Sequence, residues 1–503
     1  MKTRERIVSL SFLIIITLSA FSHNTFEKVF DELGQSEIRA TIETSDNAFL
    51  LAVCPFGVNS TSDYVLKISS QGDVINSLNC EVAEGCLKYF GLFKHPHLDD
   101  IFIIPALIFD GQASTEIAIL LFDKDLNFID EKRSAFSDVV QDMAPIVIPS
   151  ATIYDDEMAI TAHVVLKNGG YGHLYTRINL DGERLAMQSD DSYNVSVAWT
   201  SSIAIVDKDK KNFAVLNTKI ENDGAMSLHV EIMDSTMSVY NTQKVEFENN
   251  DNIFILYNDT PVLKQINDST IIMDVMVSRI VDGVTPKTYH GNCLMKMNHE
   301  LEITGTKFYF YDKPKVFVRL PLRNSFDMQG GYILTCDIIN AHSVHPSYKT
   351  QCLVTKYDTD MNVLWERFVN QEEGYYYPHY VLATKDGGCL IAGYSYDDNF
   401  QYKYSYALKT DADGNLGINE NYDIDVKPYS VYPIPASDNI YIELSTDFRC
   451  QSMEIYTLDG HLVMLQRGIT ETVNISGLAV GVYVMKLIMS DGSEFMERIV
   501  KGN

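Results

Sequence analysis

The sequence predicts an all-β protein built from two folding units. Short apolar runs of strand length alternate with Asp, Asn and Gly clusters between residues 38 and 419, and one pattern recurs seven times within that range. A different strand pattern begins at residue 431. A chain of 503 residues also exceeds what one hydrophobic core usually organises. Its content of 46% hydrophobic and 21% charged residues is typical of globular proteins.

The first element is a secretory signal over residues 1–22. Three basic residues precede the apolar run 7–18, and the small residue Ser22 stands where a signal peptidase would cut. This run is too short to span a bilayer comfortably, and no later segment reaches about 18 uninterrupted apolar residues. We therefore expect a soluble mature chain with no transmembrane segment.

The second element is the repeat region, residues 23–421. Each copy has four short strands, with tight turns after the first and the third strand and a variable loop after the second. Asp, Asn and Gly readily adopt the positive φ angles that such turns demand. The first turns fall at Asp46-Asn47, Asp99-Asp100, Asp155-Asp156, Asp209 to Asn212, Asn267-Asp268, Gly330-Gly331 and Asp386-Gly387-Gly388.

A single four-stranded sheet cannot bury both of its faces, so the copies must stack on one another. Radial stacking around an axis covers every face, and we therefore predict a seven-bladed β-propeller. An open solenoid or two sandwiches are the alternatives. The region resembles secreted bacterial propellers in which a D-G-G turn opens each repeat, here at 386–388. That resemblance implies a fold and no activity.

The long connections of such meanders share one face of the disc, where function usually resides. Tyrosine suits interfaces because its rigid ring buries area at low entropic cost while its hydroxyl still finds a partner. We predict a carbohydrate- or protein-binding surface on this face; the alternative is that the rings pack loops against one another. The candidate ligand-binding residues are Tyr289, Tyr348, Tyr375, Tyr376, Tyr377, Tyr402 and Tyr404.

The innermost strands, which would line a central channel, are predicted to be modestly basic. Such a channel could bind an anion, although these side chains could equally be solvated or paired. Glu43 is the only obvious acid there. The basic residues are Arg39, His95, His97, Arg319, Arg323 and His379.

No residue set indicates catalysis, a metal or a cofactor. Glycosidases need two carboxylates at a set separation, and no such pair is evident. The closely spaced histidines of 95–97 and 342–345 match no known metal-ligand spacing. A net charge of −28 also disfavours nucleic acid as a partner. Acids on the connections leave a hydrolase or lyase at the channel mouth as the alternative function; these are Glu372, Glu373, Asp397 and Asp398.

Eight cysteines in an exported chain make disulfides possible. Cys80 and Cys86 close a short stretch and form the most plausible pair, with two unpaired thiols as the alternative. A core of this size does not need such crosslinks, and buried free thiols are common.

The last element is a small domain over residues 431–503, after a linker at 422–430. Short antiparallel strands separated by D-G and Gly turns predict an immunoglobulin-like β-sandwich. Its ordered pieces are Tyr432-Pro433, Pro435-Ala436-Ser437, the hairpin "IYTLDGHLV", the stretch "ISGLAVGVYVMKL" and the terminal Lys501.

These pieces resemble the C-terminal sorting domain of the type IX secretion system of Bacteroidota. Ile434 departs from the family pattern, which usually has Asn at this place. The resemblance implies that the domain engages the secretion machinery, and that the chain crosses the periplasm and the outer membrane before the domain is removed. An ordinary accessory sandwich is the alternative. We therefore expect a secreted or cell-surface propeller that binds glycan or protein ligands without catalysis.

Overall fold

The computed structural model describes two compact units, which divide between Gly417 and Ile418. The segment 1–24, which contains the predicted signal peptide, lies outside the described residues. Among the described residues, no helix combines the length and the apolar character needed to cross a membrane. The described residues are 25–55, 62–79, 86–109, 113–143, 149–190, 201–220, 226–246, 253–255, 262–267, 270–281, 287–310, 326–329, 331–340, 350–369, 375–397, 401–416, 429–432, 436–444, 450–457, 460–467, 472–489 and 494–502.

The N-terminal unit consists of antiparallel sheets that follow one another along the chain. Sheet 1 contains the second half of β1 (Phe26–Glu43), β2 (Phe49–Pro55), β3 (Tyr64–Ile68) and β4 (Val74–Asn79). Sheet 2 contains β5 (Cys86–Tyr89), β6 (Phe93–Lys94), β7 (Ile101–Phe109), β8 (Ser114–Asp123) and β9 (Phe128–Ala135). Sheet 3 contains β10 (Val140–Asp142), β11 (Ser150–Tyr154), β12 (Glu157–Leu166), β13 (Tyr171–Asn179) and β14 (Arg184–Asp190).

The remaining sheets of this unit repeat the same order. Sheet 4 contains β15 (Ser201–Asp207), β16 (Asn212–Ile220), β17 (Met226–Met233) and β18 (Val239–Lys244). Sheet 5 contains β19 (Ile253–Ile255), β20 (Val262–Asn267), β21 (Thr270–Val281), β22 (Lys287–Asn298) and β23 (Ile303–Phe310). Sheet 6 contains β24 (Phe326–Gln329), β25 (Tyr332–Asn340), β26 (Thr350–Asp358) and β27 (Val363–Phe368). Sheet 7 contains β28 (Tyr376–Ala383), β29 (Cys389–Tyr396), β30 (Lys403–Thr410) and the first half of β1.

Strand β1 joins the two ends of the repeat region. Its first half pairs with β30, from Phe26 opposite Lys409 to Gln35 opposite Tyr404. Its second half pairs with β2 and becomes the inner strand of sheet 1. The sequence pattern predicts that the fourth strand of the last repeat follows its D-G turn. In the structure, the first half of β1 pairs with β30 and is the fourth strand of that sheet. The last repeat is thus completed by the first strand of the unit.

Consecutive sheets pack face to face through separate apolar clusters. Sheets 7 and 1 share one such cluster, in which Leu390 and Ala392 meet Phe49 and Leu51. The other clusters join sheets 1 and 2, 2 and 3, 3 and 4, 4 and 5, 5 and 6, and 6 and 7 in turn. The sheets therefore bury their apolar faces against their neighbours, and the all-β, propeller-like character of this region is confirmed.

The first turns of the repeats use the positive φ angles that their sequences predict. Asn47 has φ of 59°, Asp155 has 44° and Gly387 has 87°. Lys211, with φ of 56°, occupies the same place in sheet 4 although its residue type gives no such signal.

The outer turns, which join the third and fourth strands, follow a shared hydrogen-bonding plan. In sheet 2, Asp123 Oδ1 accepts bonds from the backbone N–H groups of Asp125 and Asn127, both at 2.9 Å. One residue in each outer turn then has positive φ, but in four turns it is Leu or Met, not the expected Asp, Asn or Gly. Their buried side chains join the clusters between sheets, and this burial offsets a backbone strain of about 1–2 kcal/mol. The positive-φ residues are Gly72, Leu126, Gly182, Met237, Leu301, Met361 and Gly414.

The C-terminal unit contains two antiparallel sheets around one core. The first sheet contains β31 (Tyr429–Tyr432), β32 (Asn439–Leu444) and β35 (Thr472–Asn474). The second contains β33 (Cys450–Thr457), β34 (Leu462–Arg467), β36 (Gly481–Met489) and β37 (Glu494–Lys501). Ile440 and Val473 of the first sheet pack with Met453, Ile455 and Met485 of the second. Strand alternation in this region therefore builds a shared apolar core, as its sequence pattern indicates.

The cysteines described in the N-terminal unit are buried. Cys54, Cys293 and Cys389 carry free thiols. Cys80 lies outside the described residues, so the Cys80–Cys86 disulfide stays a prediction.

Candidate ligand-binding site

Each sheet of the N-terminal unit has two chemically different ends. At the turn end, tight turns such as 44–48 and 69–73 join the first strand to the second and the third to the fourth. At the loop end, the connections between the second and third strands and between successive sheets begin and finish. Many of these connections lie outside the described residues, so the site is built from the strand ends that flank them.

Two neighbouring inner strands each contain a β-bulge toward the loop end. The register of β1 shifts between Ile38 and Ala40, and the register of β28 shifts between Pro378 and Tyr380. The extra residues are therefore Arg39 and His379. Bulges redirect side chains and are common beside functional sites.

The two bulged residues meet at one carboxylate. Arg39 Nε lies 2.5 Å from Glu37 Oε1, and His379 Nδ1 lies 3.9 Å from Glu37 Oε2. Glu37 is buried, and it belongs to the same strand as Arg39. A base from sheet 7 and a base from sheet 1 thus share an acid.

These contacts continue as a row of alternating charges, which we call the ion row: His379, Glu37, Arg39, Asp63 and Lys88. Arg39 Nη1 lies 3.9 Å from Asp63 Oδ2, and Lys88 Nζ lies 3.5 Å from Asp63 Oδ1. Asp63 Oδ2 also accepts a 2.8 Å hydrogen bond from the backbone N–H of Tyr89. The row therefore connects the inner strands of sheets 7, 1 and 2.

Burial and neighbouring charges have opposite effects on the pKa values of groups in the ion row. Asp63 is 1% exposed, and its burial raises the pKa of the carboxyl despite the lowering effect of Arg39 and Lys88. Burial lowers the pKa of Arg39, but the charges of Glu37 and Asp63 outweigh it and the net shift is upward. Arg39 is thus a permanent cation that two acids hold in one orientation.

Beside the ion row lies a tyrosine cluster formed by Tyr377, Tyr394 and Tyr396. The rings of Tyr377 and Tyr394 stack at 5.2 Å, and Tyr396 meets each of them edge-on at 5.5 Å. His379 packs edge-on against Tyr394 at 5.1 Å, and Lys403 Nζ lies 4.5 Å from the centroid of that ring. Burial raises the pKa of Tyr377 to about 12, so its phenol stays neutral at physiological pH. The cluster links the ion row to the loop end of β30.

Five of the predicted tyrosines lie on or beside the strands of sheet 7. Tyr377 is buried in the tyrosine cluster, and Tyr376 packs against Tyr406 at 4.7 Å. Tyr402 is 44% exposed and its ring lies 6.5 Å from that of Tyr404. Tyr375 is half-buried against the same cluster. Tyr402 is thus the predicted tyrosine that presents the most surface to solvent among those described, and its binding role stays a prediction.

Tyr289 lies elsewhere, at the loop end of sheet 5. The guanidinium of Arg279 sits over its ring at 5.7 Å and over Phe310 at 4.3 Å. The Oδ1 atom of Asp397 accepts bonds from the N–H groups of Gln401 at 2.7 Å and Tyr402 at 3.1 Å. The following predicted residues lie outside the described part: Tyr348, Arg319, Arg323, Glu372, Glu373 and Asp398.

A second polar group occupies the inner strands of sheets 5, 6 and 7. Lys264 Nζ lies 2.6 Å from Asp327 Oδ1, and Asp327 Oδ2 accepts a 2.7 Å bond from the N–H of Ala383. Tyr380 has Lys264 and Asp327 as electrostatic neighbours and also packs against the apolar cluster of sheets 1 and 2.

Two sequence expectations about the inner strands are wrong in their details. His95 and His97 lie at the turn end of sheet 2, where His97 Nε2 is 3.6 Å from Asp156 Oδ1. Glu43 is also not the only acid near the inner strands, because Glu37, Asp63 and Asp327 face inner-strand cations as well. Within the described ranges, no three His, Cys, Asp or Glu side chains come together as a metal site would require.

Sequence reasoning missed Glu37, Asp63, Tyr394, Tyr396 and Lys403. Residues two apart on a strand share a face. The Glu-x-Arg spacing at 37–39 could therefore have indicated Glu37, and the Tyr-x-Tyr spacing at 394–396 could have indicated Tyr394. Asp63 and Lys403 carry no such signal, because their partners belong to other strands.

Comparison with known proteins identifies the C-terminal unit. Residues 430–502 match the family model described as a secretion system C-terminal sorting domain. No curated protein matches the chain. The family model thus covers the same residues as the sequence resemblance.

Several solved structures resemble the chain at low identity. The α-L-arabinofuranosidase of Fusarium graminearum in complex with arabinobiose is 10% identical with a TM-score of 0.41, covering 77% of this chain and 98% of its own. An ulvan lyase of family PL25 is 9% identical with a TM-score of 0.39, covering 82% and 96%. The extracellular domain of a putative one component system from B. thetaiotaomicron is 10% identical with a TM-score of 0.35, covering 95% and 58%. Likeness at this level does not extend to ligand or activity.

The export route now follows from two agreeing observations over one region. The ordered pieces from Tyr432 to Lys501 and the family match at 430–502 both indicate a sorting domain. The chain is therefore an exported protein, secreted or attached to the outer surface, whose C-terminal region is a type IX secretion sorting domain.

Proposed function

We propose that this chain is a seven-bladed β-propeller of a Bacteroidota cell surface or secretome that binds an extracellular glycan without transforming it. Residues 1–22 are the signal peptide, 23–421 the propeller and 422–430 the linker. Residues 431–503 form an immunoglobulin-like sandwich that the secretion machinery recognises. The ligand site lies at the loop end of sheets 7 and 1.

The sheet pairing supports the blade count. Sheets 1 to 7 each contribute one face to the next, and β1 belongs to both the last and the first of them. A closed ring explains why one strand has two partners so distant in sequence, whereas an open stack leaves one face of each terminal sheet uncovered.

The observation that carries the binding proposal is that exposed tyrosines, buried tyrosines and fixed cations all lie at the loop end of sheets 7 and 1. Tyr402 and Tyr404 offer ring faces for the apolar faces of sugars, and the tyrosine cluster holds β28, β29 and Lys403 in place on the other face of sheet 7. Arg39 adds a rigid donor with known neighbours. Ligand sites combine aromatic walls with a few such convergent polar groups.

A glycan suits this arrangement better than a protein. Protein interfaces bury about 800 Å² per partner around an apolar centre that is depleted of charge. Here charged groups occupy the inner strands and aromatic rings lie beside them, an arrangement that fits a hydroxyl-rich ligand.

Among the residues that the structure describes, the positions of the acids disfavour hydrolysis or elimination. Retaining and inverting glycosidases place two carboxylates on either side of the scissile bond, about 5–10 Å apart. Glu37 and Asp63 instead point at one guanidinium, and both are buried. Asp397 accepts hydrogen bonds from two backbone N–H groups. Glu37 and Asp63 position Arg39, which suits a binding site.

The experiment is a glycan array with the full-length secreted chain and a double variant, Tyr402→Ala with Tyr404→Ala. We expect the double variant to lose affinity about tenfold, because each removed ring deletes stacking area. The matched control is Tyr240→Ala, since Tyr240 is 56% exposed on β18 near the turn end. Both variants should keep the wild-type Tm.

Three results would overturn the proposal. The first is a double variant that binds glycan with the same affinity as the control variant. The second is a chain that binds proteins and no glycan. Turnover of a bound glycan, seen as new reducing ends or as an unsaturated product and lost in Glu37→Gln, would replace it with the hydrolase or lyase.

A further inference from the structure

A cavity of about 270 Å³ lies at the turn end, where sheets 7 and 1 meet. This volume lies just below the range of about 300–1,000 Å³ that is typical of drug-sized ligand sites. Its walls contain two lysines and two acids from both sheets. The lining residues are Glu43, Asn47, Phe49, Ser70, Lys385, Asp386 and Lys409.

The repeat supplies an internal reference for this cavity, the junction between sheets 1 and 2. There Lys67 is buried, with its side chain 3% exposed, between two carboxylates. Its Nζ lies 3.0 Å from Asp46 Oδ2 in its own first turn and 2.9 Å from Asp125 Oδ1 in the outer turn of the next sheet. The junction thus places one ammonium between two acids.

Lys409 is the counterpart of Lys67 by position. Lys67 stands five residues before Gly72 and Lys409 five residues before Gly414, and both glycines are the positive-φ residues of their outer turns. Lys409 is also buried, 2% exposed, and its Nζ lies 2.8 Å from Asp386 Oδ2 and 3.1 Å from Asp386 Oδ1 in its own first turn. It also donates to Thr410 O at 2.6 Å. Asp386 precedes Gly387 as Asp46 precedes Asn47, so the first half of the arrangement is the same.

The second half differs by one residue. Asp125 directly precedes the positive-φ residue Leu126, and the residue that precedes Gly72 in the outer turn of sheet 1 is Gln71. The outer turn of sheet 1 therefore lacks the carboxylate that reaches the lysine at the junction of sheets 1 and 2, and the carbonyl of Thr410 is the second acceptor at Lys409 instead. The cavity opens on the same outer turn, which contributes Ser70 to its wall.

Lys385 and Lys409 balance Glu43 and Asp386 in the cavity lining. Lys385 forms the wall beside Glu43. Lys385 Nζ donates to Thr44 O at 2.7 Å, and its backbone N–H donates to Glu43 Oε2 at 2.8 Å, which fixes that wall.

We propose that this cavity binds a small carboxylate-bearing molecule, whose carboxylate takes the place at Lys409 that Asp125 takes at Lys67. The ligand reaches Lys409 from the side of Ser70, and Phe49 provides an apolar floor. This site is separate from the glycan site at the loop end, and it does not depend on that proposal.

The test uses the full-length secreted chain and a thermal shift series with succinate, against sodium chloride of equal ionic strength. We expect Tm to rise with succinate and to saturate, because binding to the native state stabilises it. Galacturonate in place of succinate reports whether a sugar acid is accepted, and galactose is the neutral comparison. A galactose shift equal to that of galacturonate would contradict recognition of the carboxylate.

Two variants make the test specific. Gln71→Asp supplies the carboxylate within the chain, so it should raise Tm by itself and abolish the succinate shift. Lys409→Met should also abolish the shift, and the matched control Lys210→Met, at an exposed lysine of another sheet, should keep it. The proposal is overturned if wild type shows no saturable shift, or if the shift survives in Gln71→Asp.

Discussion

The turn end and the loop end of the same sheets bury different chemistry between them. At the turn end, Leu126, Met237 and Met361 place apolar side chains from strained outer turns into the clusters between sheets. The polar side chains buried at the turn end are lysines paired with turn carboxylates, such as Lys67, whereas toward the loop end neutral groups are buried too, as in the hydrogen bond of 2.6 Å from Asn292 Nδ2 to Asp337 Oδ2. Satisfied polar networks fix geometry, whereas apolar clusters provide most of the driving force.

This contrast indicates a division of roles along each strand. The turn end repeats one plan from sheet to sheet, with the same side-chain cap and the same positive-φ position. The loop end has no common plan, since the ion row, the tyrosine cluster and the Arg279 stack each occur on particular sheets. A regular end that stabilises the unit leaves the other end free to differ, which is where binding side chains are expected.

The largest loss of stability should come from a substitution in β1, the strand that belongs to both the first and the last sheet. Phe30 is 0% exposed in the first half of β1 and packs in the cluster of sheets 7 and 1. We expect Phe30→Ala to lower the free energy of unfolding by about 3–5 kcal/mol, because it leaves a cavity between sheets 7 and 1. Urea unfolding followed by fluorescence measures it.

The neighbouring residue provides the control. Val29 is 38% exposed on the same strand, and Val29→Ala should change stability by no more than about 0.5 kcal/mol. If both variants lose the same amount, then closure by β1 does not stabilise the unit.

A second prediction concerns pH and the polar interior of the loop-end half. His163 and His173 are buried opposite each other on β12 and β13, with ring centroids 4.2 Å apart. Burial lowers the pKa of His163 to about 4, against about 6.5 in an unfolded chain. The folded state therefore binds fewer protons between these values, so stability present above pH 6.5 is lost as the pH falls toward 4, by about 3 kcal/mol.

Unfolding at pH 7 and at pH 4.5 in wild type and in His163→Gln would measure this contribution. The variant lacks the titrating group, so its stability should fall less over the same interval. Equal slopes in the two proteins would show that His163 does not titrate as its burial demands.

The two ends also differ in how far sequence reasoning reached. Asn47, Asp155 and Gly387 gave the first turns, since their residue types favour positive φ. Leu126 and Met361 gave no signal, because only packing between sheets compensates their strain. Strand β1 was missed in sheet 7 because its partner is remote in sequence; Ser36 and Ser405, which share a 2.8 Å hydrogen bond, are 369 residues apart.

The loop-end site shows the same limit in another form. Residue type and periodicity indicated Tyr402 and Tyr404, which lie two residues apart at the start of β30. The ion row was not foreseen as a row, since Glu37, Asp63 and Lys88 come together only when sheets 1 and 2 are side by side. Contacts within one strand can be predicted from spacing, and contacts across sheets require the fold.

A third prediction compares two positive-φ glycines. Gly414 has φ of 79° in the outer turn of sheet 7, where an added Cβ would come within 2.8 Å of the Trp365 ring. Gly169 has φ of 82° at the loop end of sheet 3, and nothing lies within 4 Å of its added Cβ. We expect Gly169→Ala to cost about 1 kcal/mol from backbone strain alone, and Gly414→Ala about 2 kcal/mol.

Chemical denaturation of both alanine variants checks this difference. If Gly169→Ala is as destabilising as Gly414→Ala, then close packing at the outer turn adds nothing, and the regular plan of the turn end reflects backbone geometry only.

The smallest stability effect should come from a matched pair of lysines over aromatic rings. Lys403 Nζ lies 4.5 Å from the Tyr394 ring centroid at the loop end, and Lys28 Nζ lies 5.1 Å from that of Phe30 toward the turn end. Cation–π contacts at accessible sites contribute about 0.5–1 kcal/mol, so Lys403→Met and Lys28→Met should each lower stability by about that amount. Glycan affinity should separate them, because Lys403 orders the tyrosine cluster behind Tyr402, whereas Lys28 contacts no part of the proposed site. Calorimetric titration of both variants with the array-selected glycan measures this. Equal affinities would mean that the tyrosine cluster supports sheet 7 and does not shape a binding surface, and the two ends would then differ in packing alone.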